Sequence, residues 1–155
     1  MIQLYTDGAV RTNPGPGAWA YIIISENKQE FDSTGFKEYT TNNRMEIQAA
    51  IEGIRKITDE CLAGKITVYS DSQYLVNCMA KKWYAKWIKM GWKRKKQREV
   101  KNEDLWRELV DLVQRLDIDW QWIRGHNGNL NNEKCDFMAC LTIENNLDKV
   151  SQNYS

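Results

Sequence analysis

Three strand-like segments occupy the first forty residues. Residues 1–10, 18–26 and 29–39 have the length and apolar content of strands, and the run Asn13-Pro14-Gly15-Pro16-Gly17 separates the first two. The second segment is too apolar for one of its faces to contact water. The pattern predicts three strands joined by hairpins, with the second strand buried on both faces.

The rest of the chain alternates between helical and strand-like patterns. A helix whose apolar residues fall on one face is predicted first, and Gly64 is expected to stop it. The expected helices are 43–60, one that opens at Asp71-Ser72, an irregular one over 81–92, one capped by Asn102, and about 132–144; the expected strands are 66–70 and 118–123, and residues 93–99 form a loop.

Hairpin strands followed by strand–helix alternation predict an α/β fold of mixed α+β character, with helices on the faces of a mixed sheet. A length of 155 residues fits one domain. We expect that domain to span residues 1–145 and residues 146–155 to form a disordered tail. In such sheets, sites form beyond the carboxyl ends of strands, which is where Asp71 stands.

Four carboxylates occupy positions that a folded chain would bury. Asp7 lies inside the first strand, Asp71 ends the strand over 66–70, and Glu46 and Asp136 share helical phase with apolar residues. Buried carboxylates are costly unless they pair, lose their charge or bind a cation. Oxygen ligands favour Mg²⁺ or Mn²⁺, and two such ions about 3.5–4 Å apart can clamp the attacking and leaving oxygens of a phosphodiester.

Each acid also has an ordinary structural explanation. The alternatives are Asp71 as a helix N-cap beside Ser72, an ion pair between Glu46 and Arg44, first-turn helix acids at Glu133 and Asp136, and a turn or bulge at Asp7-Gly8. Taken singly, each is reasonable. The metal-site hypothesis is favoured because the structural one needs four separate coincidences.

Polar residues near these acids suggest further roles. His126 lies between two glycines, in the loop before the helix that carries Asp136. A lone loop histidine is ordinarily a surface residue, but here it could transfer a proton to a leaving group or help product release. Short amides can read a ribose 2′-hydroxyl in a shallow minor groove, with turn and cap chemistry as the alternative; they are Asn13, Asn42, Asn43 and Gln73.

The net charge of +1 conceals a strong asymmetry. Residues 81–101 carry ten of the 22 basic residues and one acid, so this segment is +9 and the rest of the chain is −8. A basic lobe on an acidic body suggests a polyanionic ligand, although a solvated loop would look the same. Trp83, Trp87 and the run Lys93 to Lys96 fit a nucleic-acid backbone, and we expect that run to be exposed and both tryptophans to be partly structural.

The remaining composition excludes several classes of protein. The four cysteines lack Cys-x-x-Cys spacing and there is one histidine, so a zinc site is disfavoured and reduced, buried thiols are expected. No apolar run is long enough to span a membrane, and the N-terminus lacks the pattern of a signal peptide. These features predict a cytoplasmic protein.

Several motifs together resemble the type 1 ribonuclease H family of bacterial type. They run in family order from the first strand to the last helix: Tyr5-Thr6-Asp7-Gly8, Asn13-Pro14-Gly15-Pro16-Gly17, Thr41-Asn42-Asn43-Arg44-Met45-Glu46, Ser70-Asp71-Ser72-Gln73-Tyr74, Gly91-Trp92-Lys93, residues 100–106, and Gly125-His126-Asn127-Gly128 leading to Asp136. The resemblance implies that family's five-stranded sheet. It also implies Mg²⁺-dependent hydrolysis of the RNA strand of an RNA–DNA hybrid to 5′-phosphate and 3′-hydroxyl ends, by a monomer.

The resemblance also assigns roles. Asp7, Glu46, Asp71 and Asp136 match the metal-binding acids, and His126 matches the catalytic-loop histidine. The four amides match positions that contact the RNA strand. Positions on the DNA side are Thr41 and Asn102, which match a phosphate site, and the basic protrusion over 81–101 with Trp83, Trp87, Lys93, Arg94, Lys95 and Lys96.

Three features depart from the family pattern, the first of which is Ala9 in place of the small hydroxyl residue often found after Asp-Gly. Tyr39 stands where many relatives carry an arginine near the DNA phosphate, and we expect no counterpart of the extra N-terminal hybrid-binding module of some relatives. The hypothesis is a two-ion mechanism: Asp136 and His126 lie near the attacking water, and the ion held by Asp7 and Glu46 stabilises the leaving oxygen. The alternatives are a non-catalytic hybrid-binding module and a related nuclease of the same fold that acts on DNA.

Overall fold

A five-stranded mixed sheet forms the centre of the molecule. The computed structural model describes residues 1–94, 96, 98–125 and 127–153, with side chains up to Lys149. The strands are β1 (Ile2–Val10), β2 (Gly15–Ile24), β3 (Glu30–Thr40), β4 (Ile66–Ser70) and β5 (Ile118–Trp122); the helices are α1 (Asn42–Asp59), α2 (Gln73–Ala80), α3 (Trp83–Lys89), α4 (Glu103–Val113) and α5 (Leu130–Asn153).

The strand order is β3-β2-β1-β4-β5. β2 pairs antiparallel with both β1 and β3, whereas β4 pairs parallel with β1 and β5. The predicted mixed sheet is therefore confirmed. Most residues of β2 are buried, as its continuous apolar run predicts.

Helices cover both faces of the sheet. On one face, apolar residues of α1, α2 and α4 pack on alternate residues of β1 and β4, such as Leu4 and Val68. On the other face, Cys135, Ala139 and Ile143 of α5 pack against Tyr5 and the small residues of β2. The central strand β1 is consequently buried on both sides, and any polar side chain on it is removed from bulk water.

The end of α1 differs from the prediction. The helix stops at Asp59, and Cys61 rather than Gly64 takes the left-handed conformation that closes it, with φ 53°. The backbone N–H of Leu62 donates to the carbonyl of Ile57, and that of Cys61 donates to the carbonyl of Thr58. These two bonds form a Schellman motif, which satisfies carbonyl groups at the helix end.

The C-terminal segment also differs from the prediction. The expected helix over 132–144 begins at Leu130 and continues to Asn153, so most of the tail predicted to be disordered is helical. Leu147 packs partly against the cluster beneath α5, which gives the extra turns an apolar anchor. Among the cysteines, Cys78 and Cys135 are buried as expected, but Cys61 and Cys140 are exposed. Within the described part of the chain, no helix is long and apolar enough to cross a bilayer.

Candidate metal centre and nucleic-acid interface

Two neighbouring parallel strands bring two of the acids together. β1 and β4 are in register from Ile2 and Ile66 to Tyr5 and Tyr69, so Asp7 in β1 is level with Asp71, which follows β4. The third acid, Glu46, lies near the start of α1. A Cβ on Gly8 would lie 2.6 Å from the backbone nitrogen of Glu46, so the lack of a side chain at Gly8 lets α1 approach β1 closely enough to place Glu46 beside Asp7.

The three carboxylates form a compact cluster. One oxygen each from Asp7, Glu46 and Asp71 can be chosen so that all three lie within 4.8 Å of one another. Asp7 and Glu46 are both 3% exposed, and Asp71 is half-buried. Oδ1 of Asp7 accepts a hydrogen bond from the backbone N–H of Gly8 at 2.9 Å. Oε2 of Glu46 has no hydrogen-bond partner among the described residues, so the cluster has an acceptor ready for a ligand.

The electrostatics of the cluster favour the binding of a positive charge. Burial, and then the negative charges of Asp71 and Asp136, raise the pKa of Asp7 from 3.8 to about 8. Burial and the charges of Asp7 and Asp71 likewise raise the pKa of Glu46 well above its usual value. Both shifts oppose ionisation of the acids, and a bound divalent cation would reverse that effect.

The ordinary explanations for the four acids do not fit the structure. The α2 cap is Ser72, whose Oγ accepts from the backbone N–H of Leu75 at 3.1 Å. The guanidinium of Arg44 pairs with Asp104 instead of Glu46. Asp7 lies within regular β1–β2 pairing opposite Ala20. Asp136 lies beyond the first turn of α5, where Glu133 is the acid.

An open cleft of about 440 Å³ lies above the cluster. It brings all four acids and three of the four predicted amides to one surface. Its lining is Asp7, Gly8, Asn42, Asn43, Glu46, Asp71, Ser72, Gln73, Tyr74 and Asp136. Another cavity, of about 470 Å³, lies between α2, α4 and β5 and includes none of the predicted site residues. His126 lies outside the described residues.

Two predicted contact residues make structural hydrogen bonds. Asn13 is not among the cleft residues; its Oδ1 accepts from the backbone N–H of Asn42 at 3.2 Å and so ties the β1–β2 turn to the start of α1. Thr41 is the N-cap of α1, and its hydroxyl accepts from the backbone N–H of Arg44 at 3.2 Å. The cap chemistry considered for Asn13 is therefore present, and it holds Asn42 at the edge of the cleft.

Residues 1–144 match the family model described as RNase H. A protein named Ribonuclease H from Caldanaerobacter subterraneus subsp. tengcongensis is 40% identical over 147 residues, which are 95% of this chain and 94% of that relative. Ribonuclease H from Rippkaea orientalis is 44% identical over 155 residues, with 98% of this chain and 93% of that relative covered. The chain belongs to the RNase H family.

Solved structures show the same fold. LC9-RNase H1, described as a type 1 RNase H with the type 2 active-site motif, superposes with a TM-score of 0.80 at 28% identity over 93% of this chain and 72% of that chain. LC11-RNase H1, solved in complex with an RNA/DNA hybrid, has a TM-score of 0.74 at 21% identity and covers 95% of this chain and 99% of its own. The family resemblance predicted from the motifs is thus confirmed, together with the RNase H fold.

Asn102 of this RNase H family member occupies the predicted N-cap position of α4, and its carbonyl accepts from the backbone N–H of Trp106 at 3.0 Å, but its side chain does not cap the helix. It takes a left-handed conformation, with φ 60°. Its Oδ1 accepts from Nη1 of Arg44 at 3.3 Å, and its Nδ2 donates to the hydroxyl of Tyr74 at 3.3 Å. The side chain therefore links α1 to α2, and this link orients the amide beside the start of α1.

Sequence reasoning missed the roles of Arg44, Asp104 and Tyr74 near this site. Arg44 donates to both carboxylate oxygens of Asp104, at 3.0 and 2.6 Å, and the pair lowers the pKa of Asp104. The hydroxyl of Tyr74 also accepts from Nε1 of Trp106 at 3.0 Å. The clue in the sequence is that Arg44 and Tyr74 lie inside the motifs that carry the resemblance, although nothing local indicates their partners.

The basic segment is anchored by aromatic packing. Trp87 is half-buried against Trp92 and Trp106, at centroid distances of 6.1 and 5.9 Å. Trp83 is 41% exposed, with the Lys81 ammonium 6.0 Å from the centroid of its ring. Trp87 is therefore partly structural, as predicted, whereas Trp83 lies mainly on the surface.

The run Lys93 to Lys96 is less exposed than predicted. Lys96 is exposed, but Lys93 and Arg94 are half-buried, and Lys95 lies outside the described residues. Lys93 forms an isolated bridge with Glu99, and Nε of Arg94 donates to the carbonyl of Glu99 at 3.0 Å. These contacts fold the segment back on itself and reduce the exposure of two of its cations.

Proposed function

We propose that the chain hydrolyses the RNA strand of RNA–DNA hybrids in a Mg²⁺-dependent reaction that leaves 5′-phosphate and 3′-hydroxyl ends. The observation that carries this proposal is the convergence of Asp7, Glu46 and Asp71 beneath an open cleft that Asp136 also lines. Membership of the RNase H family supports it, as do relatives named Ribonuclease H.

The residues of the cluster fit a divalent cation. They offer only oxygen ligands, which suit Mg²⁺ or Mn²⁺. The buried, unpartnered Oε2 of Glu46 and the raised pKa of Asp7 indicate a site whose acids ionise fully only beside a positive charge. When bound, Mg²⁺ would activate a water and stabilise the charge on the leaving oxygen.

The acids, the loop histidine and the amides of the cleft then have distinct proposed roles. Asp7, Glu46 and Asp71 hold the cations, with Asp136 as the fourth carboxylate at the cleft. His126 is proposed to serve proton transfer or product release on the neighbouring loop. The amides of the cleft, Asn42, Asn43 and Gln73, select the RNA strand through the 2′-hydroxyl, because DNA would leave those donors and acceptors unpaired.

The DNA strand is proposed to lie next to the cleft, where Thr41 precedes the cleft residue Asn42 and Asn102 bonds to the cleft residue Tyr74. Thr41 and Asn102 would receive one of its phosphates, with the Arg44 guanidinium, 3.3 Å from Oδ1 of Asn102, supplying positive charge. The segment over 81–101 would follow the duplex further, with Trp83 and Lys96 as its exposed contacts. We also propose that residues 1–145 act as one domain, that the protein is monomeric, and that it is cytoplasmic.

Cleavage assays on matched substrates test this function. One labelled sequence is prepared as RNA–DNA hybrid, duplex RNA and duplex DNA, and each is incubated with and without Mg²⁺. The expected result is cleavage of the RNA strand of the hybrid alone, dependent on Mg²⁺ and abolished by Asp7→Asn. Tight hybrid binding without turnover would favour a non-catalytic binding module, and cleavage of duplex DNA would favour a related DNA nuclease.

A further inference from the structure

The peptide that carries Asp71 lies just beyond the last paired residues of β4. The β4–β5 register ends at Ser70 and Trp122, and the backbone N–H of Ile123 donates to the carbonyl of Ser70 at 2.9 Å. The next carbonyl, that of Asp71, is held by a side chain, because Nε1 of Trp122 donates to it at 3.1 Å. The end of β5 thus fixes the backbone at Asp71 where regular pairing has stopped.

The loop after β5 passes close to the carboxylate of Asp71. A Cβ on Gly125 would lie 2.8 Å from Oδ2 of Asp71 and 3.5 Å from its Cβ and Cγ. Any side chain at Gly125 would therefore displace the carboxylate or the loop. Among the described residues, Trp122 thus holds the backbone of Asp71, and the absence of a side chain at Gly125 leaves room for its carboxylate.

Such restraint matters because Asp71 sits beside two other acids. Its carboxylate is within 4.8 Å of oxygens of Asp7 and Glu46, and like charges at that distance repel. Asp71 is the most exposed of the three, so rotation toward water is the simplest way to relieve the repulsion. Trp122 is 42% exposed, and the hydrogen bond that its indole donates to the carbonyl of Asp71 links it to this site.

We propose that Trp122, through its hydrogen bond, and Gly125, through its lack of a side chain, are positioning residues that keep Asp71 within the acidic cluster and thereby set the affinity of the cluster for Mg²⁺. This inference rests on the proposed function, since Mg²⁺ is the ion proposed for the cluster. Neither residue contacts the ion itself. Both act through Asp71, so their effect depends on the charge of that side chain.

Calorimetric titration of Mg²⁺ into the metal-free protein tests the proposal without any substrate. Trp122→Phe keeps an aromatic ring and removes the N–H, and we expect it to weaken Mg²⁺ binding by roughly threefold to tenfold, the effect of removing one hydrogen bond. Gly125→Ala should weaken binding at least as much, because it acts on the carboxylate directly. The matched control is Trp120→Phe, which changes a half-buried indole on the same strand that lines the separate cavity.

A double-mutant cycle shows whether the effect passes through Asp71. In an Asp71→Asn background, Trp122→Phe should cause no further loss of Mg²⁺ affinity, because the charge that it positions is gone. Urea denaturation of each variant verifies that it is folded. If Trp122→Phe does not fold, Gly125→Ala decides the question, since it removes no hydrogen bond.

Three results would overturn the inference. The first is a Mg²⁺ affinity equal to that of wild type in Trp122→Phe and Gly125→Ala, and the second is an equal loss of Mg²⁺ affinity in Trp120→Phe. The third is a full effect of Trp122→Phe in the Asp71→Asn background. Each would mean that Asp71 keeps its place without these contacts, or that Trp122 acts by another route. Failure of the wild-type protein to bind Mg²⁺ would instead contradict the proposed function, so the two failures are distinguishable.

Discussion

Asp7→Asn should stabilise the protein in the absence of metal. Asp7 has a pKa of about 8 in the folded state against 3.8 as the ordinary value, so the folded state binds more protons than the unfolded state between these two limits. The free energy of unfolding that protonated Asp7 contributes is therefore fully present below about pH 4 and is lost as the pH rises toward about 8. Asparagine carries no charge at any pH and can still accept the hydrogen bond from Gly8.

The size of the effect follows from the shift in pKa. One pKa unit corresponds to about 1.4 kcal/mol, so a shift of about four units sets an upper limit of about 6 kcal/mol above pH 8. Water in the open cleft and counterions will reduce this, and we expect Asp7→Asn to gain about 2–4 kcal/mol there and almost nothing near pH 4. Saturating Mg²⁺ should reverse the order, because binding then stabilises only the wild-type protein.

Urea denaturation followed by circular dichroism measures these free energies of unfolding. Wild type, Asp7→Asn and the surface control Asp111→Asn are compared across the pH range, first with chelator and then with Mg²⁺. Asp111 is an exposed acid on α4, so its variant should follow wild type. The argument is that repulsion between these acids lowers the free energy of unfolding and that bound metal offsets the loss. It would be refuted if Asp7→Asn were clearly less stable than wild type in chelator, or if the stability of wild type did not change with pH.

Three further predictions concern other parts of the molecule. Cys61→Gly should raise the free energy of unfolding by about 0.5–1 kcal/mol in urea melts, because glycine adopts the left-handed φ without strain; lower stability would contradict this. Neutralising the run Lys93 to Lys96 should weaken hybrid binding and reduce its salt slope by about 0.7–0.9 log units for each phosphate that the segment no longer neutralises; an unchanged slope in filter binding would exclude the segment. Asp104→Asn should tighten hybrid binding at low salt by releasing Arg44, at a stability cost of about 1 kcal/mol or less; unchanged affinity would place Arg44 away from the duplex.

The sequence predicts most of what depends on local pattern. The sheet follows from apolar runs of strand length, and Asp7 and Asp71 stand out because they interrupt or end such runs. Their proximity could be expected from the parallel pairing of β1 with β4, which places the ends of both strands at one edge. Glu46 could be predicted from its helical phase, but its closeness to Asp7 depends also on Gly8 and on how tightly α1 packs against β1.

Features that depend on distant contacts could not be predicted. Asn102 occupies the N-cap position that its place before a helix predicts, but its side chain bonds to residues of α1 and α2 instead of to α4. Gly64 looks like the helix stop because glycine favours the left-handed region, whereas backbone hydrogen bonds place that conformation at Cys61. The last turns of α5 lack a clear apolar period, and they are helical where Leu147 reaches the core beneath them.

Cleavage of a hybrid with one phosphorothioate at the scissile position tests the central claim most directly. Replacing a non-bridging oxygen by sulfur weakens contact with Mg²⁺, which prefers oxygen, and less so with softer ions such as Mn²⁺. If the carboxylates of Asp7, Glu46 and Asp71 hold cations against the scissile phosphate, one sulfur diastereomer should be cut much more slowly than the normal linkage in Mg²⁺, and Mn²⁺ should restore its rate. Equal rates for oxygen and sulfur linkages in Mg²⁺, with no effect of Mn²⁺, would contradict the account.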